Sequence, residues 1–81
     1  MPAAPNYAEV AALTEKLNTL GVDNISLLWN KDTKADECHV GWQDLKVKGV
    51  GWTPTAAMED AYQKMRAQII LNHPEVTLPP E

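Results

Sequence analysis

The sequence predicts an α+β fold: one small domain, α-β-β-(β)-α, with an antiparallel sheet and two helices on one face. Three observations lead there. Apolar residues recur at three- and four-residue steps near both ends of the chain, the spacing of single-sided helices. Two central runs alternate apolar and polar residues, the period of half-buried strands. The polar link between those runs is too short for a parallel crossover, so they pair as a hairpin. A chain of 81 residues makes one domain. At that size only about 60% of the unfolded surface is buried, so stability is marginal.

Residues 1–5, with two prolines and no evident partner, read as a disordered lead. Asn6 caps the first helix, with Glu9 at capping-box spacing. Val10, Leu13, Leu17 and Leu20 form its apolar stripe, and Gly21 is the left-handed residue that ends it. Asn24 to Asn30 is the first strand. Ile25, Leu27 and Trp29 share one parity; Ser26, Leu28 and Asn30 share the other. Lys31 to Glu37 reads as a polar loop, and Cys38 to Gln43 as the second strand, with Val40 and Trp42 in phase. Leu45 to Val50 is a short third strand. Its parity shifts after Trp42, which requires a tight turn at Gln43-Asp44 or a bulge.

Ile25, Leu27, Trp29, Val40 and Trp42 are expected under the helices. The open sheet face is expected to carry Ser26, Leu28, Asn30, His39 and Gln43, with Lys46 and Lys48. The glycines of Gly49-Val50-Gly51 let the chain turn toward the second helix. Thr53 caps that helix and Pro54 takes its first position. Glu59 and Asp60 lie near the positive end of its dipole. Met58, Ala61, Tyr62, Met65 and Ile69 form its stripe, and His73-Pro74 stops it. Residues 6–73 thus form the domain. Residues 74–81 form an extended Pro-containing tail that Val76 and Leu78 would pin.

Eleven acidic and seven basic residues leave a net charge of −4, the wrong balance for a general phosphate-backbone binder. One cysteine excludes an internal disulfide framework. The N-terminus lacks a basic n-region followed by an apolar run, and no apolar stretch approaches the roughly 20 residues that span a bilayer. A cytoplasmic protein is expected.

The candidate chemistry is thin. Cys38 and His39 are adjacent in a strand, so their side chains point to opposite faces and form no dyad. One cysteine and two separated histidines lack zinc-site spacing. Asp32, Asp36, Glu37 and Asp44 cluster around the hairpin. Lys34 stands where a calcium loop needs an acceptor, and the central glycine is missing. Gly49-Val50-Gly51 lacks the third glycine of a dinucleotide fingerprint, and no βαβ unit surrounds it. No catalytic residue, metal or cofactor is therefore expected, and the chain reads as a non-enzyme.

The α-β-β-β-α order and the Gly49-x-Gly51-x-Thr53 entry to the last helix resemble the double-stranded RNA-binding domains, over the topology and a few residues. That family grips phosphates with lysines at the start of its last helix. Here those positions hold Pro54, Thr55, Ala56, Ala57, Met58, Glu59 and Asp60, and the two acids would repel a phosphate backbone. The resemblance does not carry the function over.

The function expected is stoichiometric binding to a larger protein or complex with a basic surface. Asp32, Asp36, Glu37, Asp44, Glu59 and Asp60 would form an acidic edge around Trp52 as aromatic anchor. Small accessory proteins and inhibitors encoded by phages and mobile elements, including inhibitors of CRISPR and other defence complexes, share this size and content. The alternative is a nucleic-acid-associated module that uses Lys46 and Lys48 on the open face.

Overall fold

A computed structural model describes residues 6–80; the lead at 1–5 and Glu81 lie outside the described residues. The elements are α1 (Tyr7–Leu20), β1 (Asn24–Asn30), β2 (Ala35–Trp42), β3 (Leu45–Gly51) and α2 (Pro54–Asn72). The sheet is antiparallel in the order β1-β2-β3, so the third strand forms.

Local signals set the helix ends. Asn6 Oδ1 accepts from the N–H groups of Ala8 and Glu9, two of the donors a helix start leaves unpaired. Gly21 adopts φ 87° and its N–H bonds Asn18 O, closing α1. Thr53 Oγ1 accepts from Ala56 N at 3.1 Å, with Pro54 at the first position of α2.

The first hairpin departs from expectation. Its loop is Lys31–Lys34, not Lys31–Glu37, because Lys34 takes φ 57° and turns the chain early. Ala35, Asp36 and Glu37 therefore belong to β2. Gln43, at φ 51°, makes the tight turn between β2 and β3.

Register assigns the faces. Ile25, Val40 and Val47 pair across the sheet, as do Leu27, Cys38 and Gly49, and then Trp29, Asp36 and Gly51. This side carries both helices. Leu17 and Leu20 of α1 join Cys38, Val40 and Trp42 in the core, with Ala57, Met58, Ala61, Tyr62, Met65 and Ile69 of α2. α2 lies over β2 and β3, while α1 leans mainly on α2. Ile25, Leu27 and Trp29 point to the helix side as expected, but β1 extends beyond the cover. Leu27 remains 42% exposed and Trp29 half-buried.

The glycines of β3 serve close packing rather than a turn. Neither has positive φ. A Cβ on Gly49 would strike Ala57 O and Ala61 N, and one on Gly51 would lie 2.6 Å from Ala57 N. The absent side chains let the α2 backbone rest directly on β3. After Asn72 the tail folds back: Val76 and Leu78 pack on the core, and Arg66 donates to Pro79 O at 2.6 Å.

Candidate functional site

The open face is built in rows. Asn24, Gly41 and Lys46 form the first; Ser26, His39 and Lys48 the second; Leu28, Glu37 and Val50 the third. Each row places side chains about 5 Å from their neighbours across the strands.

Glu37 occupies the centre of the third row and is only 8% exposed. Asn30 Nδ2 donates to its Oε2 at 3.0 Å, His39 Nε2 lies 3.0 Å from its Oε1, and Lys48 Nζ stands 3.9 Å from Oε2. The hydrogen bond from Asn30 first, then that with His39, then the charge of Lys48, hold its carboxyl below the ordinary carboxylate range against the opposing effect of burial. Its charge is absorbed by three neighbours from three strand positions.

Apolar side chains flank this acid. Leu28 is 43% exposed on one side and Val50 41% on the other. Trp52, two residues beyond Val50 and just past the end of β3, is 77% exposed. The pairing of Asp36 with Gly51 puts Trp52 at the same end of the sheet as the 31–34 loop. Asp32 in that loop is exposed, between Lys31 and Lys34. The result is an apolar patch beside a hydrogen-bonded, ion-paired carboxylate, bordered by charges of both signs.

The six acids do not gather on one edge. Asp32 and Glu37 lie at the Trp52 end. Asp36 faces the helices, 5% exposed, and its Oδ2 has no hydrogen-bond partner among the described residues. It is not presented to solvent. Asp44 sits on the β2–β3 turn, about 20 Å away along β3 at roughly 3.3 Å per residue, and its Oδ1 lies 3.1 Å from His73 Nε2. Glu59 pairs with Lys16 at 3.7 Å. Asp60 contacts Lys64 Nζ at 2.8 Å and accepts the Val50 N–H at 2.9 Å. Those two contacts, Lys64 foremost, hold its pKa below the ordinary value.

The burial of Asp36 was readable: it shares the parity of Val40 and Trp42 once β2 starts at Ala35. Val50 is an apolar member of the open face that the strand pattern also signals, since it continues the parity of Lys46 and Lys48.

The opposite half of the face is polar. Gly41 has no side chain, and a hollow of about 370 Å³ there is lined by Asn24, His39, Lys46 and Lys48 among others. Cys38 faces the helices while His39 faces out. Burial pushes the Cys38 thiol up to about 11, away from nucleophilic use. Among the described residues no group of three His, Cys, Asp or Glu side chains is placed to hold a metal ion, and no helix is long and apolar enough to cross a membrane. Comparison of the chain with protein-family models, curated proteins and solved structures finds no match.

Proposed function

We propose that this chain acts without catalysis, by binding another protein through the Leu28–Val50–Trp52 end of its open sheet face. The observation that supports this reading is the exposure of Leu28 and Val50 beside Glu37, whose carboxylate is already hydrogen-bonded and paired, with an exposed Trp52 at the same end of the sheet. An indole 77% exposed at the edge of an apolar patch is the kind of anchor that dominates binding energy in protein interfaces. A small domain that must conserve its core gains nothing in folding from leaving Trp52 in water.

The geometry shifts weight from charge to apolar contact. Asp36 is buried, and Glu59 and Asp60 are held by Lys16 and Lys64. Asp32, exposed and without an ion pair among the described residues, is the acid of this set placed to meet a basic group at the Trp52 end, and it serves at the rim. The partner is therefore a protein with an apolar pocket for an indole and a basic group near it. Within this class we place the chain among stoichiometric inhibitors or accessory proteins, on its size and content.

The experiment is capture with the tagged chain beside two folded variants, Trp52→Ala and Val50→Lys. A protein retained by the wild type and by neither variant supports the reading. Equal retention by all three removes it.

A second reading rests on the hollow at Asn24, His39, Lys46 and Lys48, which would suit a nucleic-acid backbone. Lys48 already shares Glu37, and the chain's net charge opposes it. Salt-dependent binding of a generic RNA or DNA duplex, lost in Lys46→Glu, would favour this reading over the first.

A further inference from the structure

The two edges of the sheet are treated differently. At β3 the outer backbone is occupied by side chains of α2. Asp60 Oδ2 accepts the Val50 N–H at 2.9 Å, and Lys64 Nζ donates to Lys48 O at 3.1 Å. Lys46 and Lys48 add charge to the same strand, a common device against edge-to-edge pairing. β1 has no such protection among the described residues. Among the described residues it pairs only with β2, in an unbroken seven-residue register without a bulge. Asn24-Ile25-Ser26-Leu27-Leu28-Trp29-Asn30 contains no proline and no charged residue. Leu27 is exposed on one side of it and Leu28 on the other.

We infer that the chain forms a two-fold homodimer by antiparallel pairing of β1 with β1 of a second copy, giving a continuous six-stranded sheet. The strand complements itself about Leu27. With the axis there, Leu27 meets Leu27 of the second copy, Ile25 meets Trp29, Ser26 meets Leu28, and Asn24 meets Asn30. The helix-side row Ile25–Leu27–Trp29, which the helices cover only in part and which leaves Leu27 42% exposed, is then closed by the same row of the other copy. Such an isologous contact needs no foreign sequence. Charge allows it too: the chain carries −4, but none of its ionic groups lies on this strand, so the seam sets no like charges directly against each other. Backbone pairing supplies affinity and the alternating side chains set register. The seam shares Leu28 with the proposed protein-binding patch, but Val50 and Trp52 take no part in it.

Sedimentation velocity over a concentration series tests it, with Leu27→Lys, Leu71→Lys and Trp52→Ala as comparisons. The wild type, Leu71→Lys and Trp52→Ala are expected to show a concentration-dependent monomer–dimer equilibrium. Leu27→Lys, which sets two lysines against each other on the axis, is expected to remain monomeric throughout with an unchanged circular dichroism spectrum. Register is read by oxidative crosslinking in a Cys38→Ala background, since Cys38 pairs with Leu27 within one copy. Leu27→Cys should give a covalent dimer and Ser26→Cys should not. A wild type that is monomeric at every concentration, a dimer that survives Leu27→Lys, or equal crosslinking at both positions overturns the inference.

Discussion

Trp42 Nε1 donates a buried 2.8 Å hydrogen bond to the carbonyl oxygen of Leu20, the last residue of α1. A helix leaves its final carbonyls without partners, and here a strand supplies one. The Trp42 ring also lies 5.1 Å from the ring of His73, the C-cap of α2. One side chain thus joins the C-terminal ends of both helices to the sheet. That end is a structural lock, and Asp44 belongs to it through His73.

Trp42→Phe should therefore destabilise by about 1–3 kcal/mol, because the Leu20 carbonyl loses its partner. Trp42→Ala should cost about 3–5 kcal/mol, a large share of the stability of a small domain. Urea denaturation of the three proteins measures both. A Trp42→Phe variant as stable as the wild type would show that the indole bond contributes nothing.

Gly49→Ala and Gly41→Ala should differ sharply. The new methyl at Gly49 meets backbone atoms of α2, which cannot move without shifting the helix. The expected loss is about 3 kcal/mol, the upper end for overpacking. At Gly41 the nearest atom is Asn24 Nδ2 at 2.9 Å, the tip of a side chain on the open face. That variant should lie within about 1 kcal/mol of the wild type. Thermal melts of the pair decide the point; similar losses would contradict the packing described for β3.

Acid stability should report on Glu37. Its folded pKa is depressed, so its stabilising contribution is full above the ordinary value of 4.5 and fades as pH falls through the lower folded value. Glu37→Gln should be less stable than the wild type at neutral pH, and the gap should close on acidification below about pH 4. Asp60, shifted in the same direction, leaves a residual slope in the variant. Urea midpoints measured across this range would contradict the account if the gap were constant.

Cys38 should resist a thiol reagent in the folded state. A rise from 9.0 to about 11 lowers the thiolate fraction about 100-fold at mildly alkaline pH, and the sulfur is fully buried. Labelling should appear in parallel with unfolding as urea is added. Rapid labelling of native protein would overturn the placement of this strand.

What the sequence made legible was local. Asn6, Gly21, Thr53 and Pro54 act on neighbours within a few residues, so the helix ends could be read directly. Strand parity was legible for the same reason and placed Val40 and Trp42 correctly. The failures concern partners distant in sequence. Gly49 and Gly51 are glycines because Ala56, Ala57 and Ala61 of α2 press on them, which no local pattern reveals. Asp60 looked like a complement to the helix dipole and proves to hold the β3 backbone. The sequence pattern places Asp36 and Glu37 in the polar 31–37 loop, as two members of the six-acid edge. The early turn at Lys34 puts them in a strand, where alternation sends one toward the helices and the other into the Asn30–His39–Lys48 network.

The central claim is that Trp52 anchors a protein partner. It is tested most directly by the dissociation constant of the captured partner for the wild type, Trp52→Ala and Asp32→Lys. Loss of an anchoring indole should cost about 2 kcal/mol or more, roughly a 30-fold weakening that added salt does not remove. Asp32→Lys should change the constant only modestly, and mainly at low salt. Trp52→Ala binding as tightly as the wild type, with its fold intact, would contradict the account.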